Sequence, residues 1–575
     1  MITIIATWLS FLLVLPTPTL TVVSRPLSHT SSGVLHGVYE TTPTGTLTKF
    51  LGIPYARPPV GDLRFKPPAH LGDDKADSAV EASEFKASCM QAVGIADLVY
   101  PALRAAEYKF DEDCLFLNVF IPGEFTTENK GLVGNIMKFG KEKILNFGRD
   151  TRLPIMIWLP GEGYNFASSS QYDMSSLATE GNVIVVTVNY RVSVFGFLST
   201  GDEEIPGNMG LLDQLAAIRW MKNNADAFGG DPERITIFGR FTGAMSISAL
   251  LVSPLAMHDG KPLFNRAIIQ SGVAAETWTI DSDPSSGFNA VAEKNDCMLP
   301  STQEIVECLR QIPANRLLDV SNYIHSWRLV LNKDTLPDEP LYSINHGDHV
   351  PMPVMIGVTN DDGSLCLLTQ YFMNRGLYDK IVSDQINEDD FRELAREFLL
   401  GYSGITDKDA IDQIVEHYST SKDKSWRNRY IKMCGDGYFR YKTQGFAEQL
   451  AEQGSQVYLY EFSHRPSQSF HPEFIEAAHG DDILFSLGIV RQSNEWTTEE
   501  NQLSRSMMKA WTNFANTGNP NPMLGSDEEW PAFSSESQMY WDFSIAPGEK
   551  VKAMSPTWSN FDLWQNILEA VKKLL

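Results

Sequence analysis

The sequence predicts a doubly wound α/β fold built on a large, mostly parallel sheet. Three observations carry this. Short runs of β-branched and aliphatic residues recur along the chain, with the continuous apolar character of strands buried on both faces. Segments of helical apolar spacing stand between them, as alternating βα units require. No internal repeat, low-complexity block or Pro/Ser/Gly-rich linker divides the 575 residues, so residues 25–575 read as a single domain.

In chain order, residues 1–24 (MITIIATWLSFLLVLPTPTLTVVS) hold an apolar core from Ile4 to Leu15, then Pro16 and Pro18. They read as a secretory signal peptide, although no Lys or Arg opens them. The run breaks too early for a membrane span, so the chain is expected to be secreted, with no transmembrane segment. LPIMIWLP (153–160), NVIVVTVNY (182–190) and ERITIFG (233–239) read as buried strands. MGLLDQLAAIRWMKNNADAF, between the second and third, has helical spacing. FNRAIIQSG, PMPVMIGVT (351–359) and QVYLYEFSH (456–464) repeat the strand pattern. The basic and apolar segment 131–150 reads as a surface excursion, with an exposed amphipathic helix as the alternative. The tail NILEAVKKLL reads as a short docking helix.

Composition narrows the partners. The chain carries 47 basic and 72 acidic residues, a formal charge of −25, which reads first as a charge that serves solubility, and which also repels nucleic acid and anionic membranes and favours cationic partners. Six cysteines suit an oxidising compartment. They form no CxxC and no His/Cys cluster, so neither a metal site nor a cofactor is expected. No N-x-[ST] sequon occurs.

FGRFTGAMS (238–246) stands where a strand hands over to a helix. Gly239 and Gly243 have the spacing of a G-x-S-x-G nucleophile turn, which lifts a serine above the sheet. The central position holds Phe241, which has no nucleophilic atom.

The surroundings make this weak signal strong. FLGIPYARPPVGDLRF (50–65), EDCLFLNVFIP (112–122), NYRVSVFGFLST (189–200), GNMGLLDQLAAIRWMKNNADAFGGDPERITIFG (207–239), LFNRAIIQSG (263–272) and AWTNFANTGNPNP (510–522) resemble, in order, segments of the type-B carboxylesterase and cholinesterase family. The likeness runs from about Pro26 to the C-terminus and implies an α/β-hydrolase fold. It places the catalytic serine at Phe241, the acid at Asp362 in TNDDGS and the histidine at His479 in AAHGDDILF. In an active relative the imidazole takes the hydroxyl proton while the carboxylate fixes its tautomer. Here two triad members surround a missing third, and they read as a retained hydrogen-bonded pair. Thr242, Ser246, Ser248 and Ser271 are poor replacements by position.

The oxyanion loop maps onto Pro160–Gly161–Glu162–Gly163–Tyr164, with backbone donors at Glu162, Gly163 and Thr242. An ionised Glu162 would put negative charge where negative charge develops, unless its side chain turns to solvent. The resemblance also implies disulfides Cys89–Cys114 and Cys297–Cys308 and a buried ion pair between Arg64 and Glu112, leaving Cys366 and Cys434 unassigned. Adhesion-type members of the family, neuroligin among them, lack catalysis and bind proteins. The resulting expectation is a secreted, catalytically inactive protein with a protein partner or a small apolar ligand, and with a homodimer open. An ester hydrolase using an unusual nucleophile or a His479-activated water is the alternative, and a small-molecule carrier the third.

Overall fold

The computed structural model describes residues 25–72, 78–91, 109–125, 152–275, 279–321, 327–401, 405–534, 536–545, 555–556, 560 and 562–567. The signal-peptide segment, the 131–150 segment and most of the C-terminal tail lie outside them. Eleven strands form the main sheet: β1 (Val38–Thr42), β2 (Gly45–Pro54), β3 (Phe116–Pro122), β4 (Leu153–Leu159), β5 (Ile184–Val188), β6 (Gly230–Arg240), β7 (Arg266–Gln270), β8 (Val354–Thr359), β9 (Val457–Phe462), β10 (Met539–Phe543) and β11 (Ser555–Pro556). Their spatial order is β11-β10-β9-β8-β7-β6-β4-β5-β3-β2-β1. From β5 to β10 every pairing is parallel, and the remaining pairings are antiparallel. This is the α/β-hydrolase arrangement of a large, mostly parallel sheet.

Burial explains the sequence pattern. Every residue of β5, β8 and β9 is buried, because helices cover both faces. The helical reading at 209–228 is a helix, α1 (Met209–Asn224), closed by a 3₁₀ turn (Ala225–Phe228). α2 (Thr242–Leu250) follows β6 directly and is buried throughout. α3 (Pro284–Lys294), α4 (Ser364–Met373) and α5 (Trp426–Gly435) come next. After α5 a π-turn (Asp436–Arg440) runs into α6 (Tyr441–Glu452). α7 (Thr498–Thr517) opens on a capping box between Thr497 and Glu500.

One topological feature positions the site. The chain passes from β4 to β5 on one side, then crosses back to β6 on the other side of β4. At such a switch point the loops leaving neighbouring strands diverge and open a crevice beyond the carboxyl ends. The 160–166 loop leaves β4 there and the FGRFTG turn leaves β6.

Three disulfides fasten the loops: Cys89–Cys114, Cys297–Cys308 and Cys366–Cys434. The last resolves the two cysteines that the sequence left unassigned. It joins α4 to α5, across a sequence separation of 68 and with Cα atoms 6.4 Å apart. Arg64 forms a fork with Glu112 at 2.6 and 2.5 Å and also donates to the carbonyls of Leu309, Arg310 and Ile312. Among the described residues no helix is long and apolar enough to cross a membrane.

Candidate functional site

The turn after β6 has the strained geometry of a nucleophile elbow. Phe241 adopts φ 51° and ψ −118°, a region costing a non-glycine residue roughly 1–3 kcal/mol. Neighbours hold it there: its N–H donates to the Gln270 carbonyl at 2.9 Å, and its carbonyl accepts from the Met245 N–H at 2.8 Å. The flanking glycines are demanded by contact. A Cβ at Gly243 would lie 2.1 Å from the Leu159 carbonyl oxygen, and one at Gly239 would lie 2.6 Å from the same atom. Both glycines are therefore required by the packing of β6 and α2 against β4, whether or not the turn carries a nucleophile.

Asp362 follows β8 and His479 follows β9, and the fold brings them together. His479 Nδ1 lies 2.7 Å from Asp362 Oδ1. The second carboxylate oxygen accepts from Ser271 Oγ and from the Thr359 N–H, each at 2.9 Å. The His479 N–H donates to Ser364 Oγ at 2.9 Å. Burial opposes ionisation of Asp362, but the hydrogen bond and charge of His479, with the Thr359 contacts, hold its carboxyl below the ordinary range. Burial, reinforced by the Arg240 charge, pushes the His479 imidazole down to about 4 against the pull of Asp362. The imidazole is thus neutral at pH 7, and the acceptor-only carboxylate fixes its proton on Nδ1.

Aromatic rings occupy the volume beside it. The Phe241 ring meets the His479 ring at 5.0 Å between centroids and 83°. Phe439 stacks on the imidazole at 4.7 Å and 24° and lies 6.2 Å from Phe241. On the far side, a Cβ built at Gly163 would lie 4.0 Å from Phe241 Cε1. The benzyl group therefore lies against both the histidine and the 160–166 loop. Phe241 is 8% exposed and Phe439 is fully buried.

The 160–166 loop has its own rearrangement. Glu162 neither faces the reaction centre as a bare charge nor turns to solvent, as the sequence reading had allowed. Its Oε1 lies 2.7 Å from Arg240 Nη1. Burial raises the Glu162 carboxyl above its ordinary value, and Arg240 opposes that push. The Glu162 N–H, one of the backbone donors that the resemblance assigns to oxyanion binding, donates to the Phe166 carbonyl at 3.0 Å. The hydroxyls nearby are engaged elsewhere. Thr242 Oγ1 accepts from the Tyr164 N–H at 3.2 Å, Ser246 Oγ donates to the Thr242 carbonyl at 3.0 Å, and Ser248 Oγ donates to the Met245 carbonyl at 2.8 Å.

Sequence reasoning missed Arg240 and Phe439. Arg240 adjoins Phe241 in the motif, and its opposite charge to Glu162 was the available signal. Phe439 had none, because it reaches the imidazole through the π-turn, whose extra residue re-aims the side chains. Within that turn Arg440 donates to Glu461 at 2.8 Å and to Asp436 at 3.3 Å. Among the described residues no group of three or more His, Cys, Asp or Glu is placed to hold a metal ion.

Comparison with known proteins identifies the family. Residues 24–559 match the family described as Carboxylesterase family. The chain is 31% identical to carboxylesterase 5A of Canis lupus familiaris, over 96% of this chain and 90% of that protein. It is 32% identical to acetylcholinesterase of Bungarus fasciatus, over 94% and 87% of the two chains. To neuroligin-3 of Mus musculus it is 30% identical, over 91% and 66%.

Proposed function

We propose that this chain, which belongs to the carboxylesterase family, acts by binding and does not hydrolyse esters. One observation carries the reading: the residue at the elbow is Phe241, and its ring lies against His479. A triad acts as a unit, and losing its serine costs on the order of a millionfold in rate. The Glu162 N–H spent on Phe166 is a second loss, since removing an oxyanion donor costs roughly a hundred- to a thousandfold. An imidazole held near 4 is a third, because a general base works best with a pKa near the working pH.

In this reading Asp362 and His479 are structural. They join the loops after β8 and β9 through a buried hydrogen bond, as the isolated bridge between Asp361 and Ala478 also does. Neuroligin-3 among the relatives supports protein binding as the mode, by family analogy. Three disulfides and an apolar leader at residues 1–24 support export and an extracellular location. A single domain over residues 25–575 and a homodimer belong to the same proposal.

The test is turnover of short-chain aryl esters by the purified chain, beside its Phe241→Ala variant. We expect both to match the uncatalysed rate. Saturable hydrolysis by the wild-type chain contradicts the reading.

A further inference from the structure

One cleft away from the relict triad has a shape and charge that nothing above uses. It encloses about 1170 Å³, slightly larger than the roughly 300–1000 Å³ of small-molecule pockets. Its lining includes apolar Ala274, Ala275, Ile280, Val330 and Leu331, and Leu331 is left 39% exposed. Its lining also carries Asp202, Glu203, Asp281, Asp283, Asp334 and Glu339, and among the described lining residues the one cation is Lys333. That ammonium is already paired with Glu203.

The cleft is built before any partner arrives. Asn208 Nδ2 donates to the Val330 carbonyl at 2.6 Å and to Thr335 Oγ1 at 2.9 Å, while its Oδ1 accepts from the Val330 N–H at 2.9 Å. Asn332 Nδ2 donates to the Pro206 carbonyl at 3.1 Å. These bonds clamp the 199–206 loop to the 330–335 turn. The Asp283 carboxylate caps α3, so the positive end of that helix is already met within the lining. The lining is tied to the elbow helix, since the Ala274 N–H donates to Ser248 Oγ on α2 at 2.7 Å.

Spread carboxylates among apolar lining residues select for an extended ligand and not a point charge. No group of three or more metal-ligating side chains is placed to hold an ion among the described residues. Lysine and arginine side chains match this chemistry, because their methylene stems cover apolar surface while the cationic ends reach the carboxylates. The overall charge of −25 steers such a segment inward. We propose that this cleft is where a protein partner docks, by an extended segment of alternating cationic and aliphatic side chains. The inference rests on the binding reading above and names the partner's chemistry.

The test is fluorescence anisotropy of the full chain with a labelled synthetic octapeptide of alternating lysine and leucine. We expect saturable binding that weakens with salt. Asp334→Lys/Glu339→Lys weakens it roughly tenfold, and Leu331→Ser weakens it too. Glu393→Lys/Glu397→Lys, an equal charge change on exposed positions of the helix Glu388–Gly401, leaves it unchanged. An alternating glutamate–leucine peptide does not bind. Absence of binding, or equal weakening by the two charge reversals, overturns the proposal. So does spermine binding as tightly as the peptide, which assigns the cleft to a small polycation. Dissociation of a dimer by the cleft substitutions assigns it to a second copy and also overturns it. An organophosphate adduct on the wild-type chain, by contrast, sinks the binding-only reading whatever the peptide does.

Discussion

The Phe241 ring stands edge-to-face with the His479 imidazole, 5.0 Å between centroids, at the position that the proposed function assigns to a lost hydroxyl. The partnership is apolar where catalysis needs a proton relay. It also links two loops that are separated by three strand positions in the sheet.

Restoring the hydroxyl alone is expected to fail. Phe241→Ser supplies the nucleophile but leaves the Glu162 N–H on the Phe166 carbonyl and the Arg240 charge that lowers the imidazole. Aryl-ester turnover by Phe241→Ser should remain at least about a hundredfold below that of Phe241→Ser/Glu162→Gly/Arg240→Met. Equal rates for the two variants would show the oxyanion loop to be undamaged.

The Glu162–Arg240 pair is expected to behave as a buried ion pair. Arg240→Met leaves a carboxylate buried without its guanidinium and should cost about 3–5 kcal/mol. Glu162→Gln/Arg240→Met removes both charges and should cost markedly less. Urea denaturation of the two single variants and the double variant measures the coupling. Strictly additive costs would dissociate the two residues energetically.

Phe241 itself combines strain with filling. Phe241→Ala empties space between His479 and Gly163 and should cost about 3–5 kcal/mol. Phe241→Gly opens the same cavity but relieves the positive φ. The glycine variant should therefore melt no lower than the alanine variant, although glycine elsewhere costs about 0.5–1 kcal/mol more. A clearly lower melting temperature for glycine would show that the elbow holds no strain.

Two buried groups give opposite pH signatures. Burial raises the Asp481 carboxyl to about 7, above an unfolded value of about 3.9. Its contribution is complete below that unfolded value and is lost as pH rises through 7. His479 is lowered to about 4 from about 6.5 unfolded, so its contribution is lost as pH falls from 6.5 towards 4. Relative to wild type, Asp481→Asn should gain stability as pH climbs from about 4 to 7. His479→Gln should gain as pH drops from about 6.5 to 4. Each difference approaches at most about 1.4 kcal/mol per pH unit. Chemical denaturation across that range checks both signs.

Much of the scaffold was legible because burial writes itself into composition. ERITIFG, PMPVMIGVT and QVYLYEFSH are strands because both sheet faces are covered, and only continuous apolar runs satisfy that. The elbow was legible because Gly239 and Gly243 are fixed by contact with the Leu159 carbonyl oxygen. The Glu162–Arg240 pair was hidden by a separation of 78 residues, although the resemblance had placed both loops at one site. Phe439 was hidden more deeply, since a one-residue widening of a helix leaves no mark in periodicity. Cys366–Cys434 depends on how α4 crosses α5, which spacing along the chain does not encode.

The most direct measurement is the intact mass of the purified chain after exposure to an excess of a reactive organophosphate, with peptide mapping of any adduct. Because the elbow presents Phe241 and the neighbouring hydroxyls are engaged elsewhere, the mass should stay that of the unmodified chain. A stoichiometric phosphoryl adduct on any serine or threonine beside His479 would contradict the account.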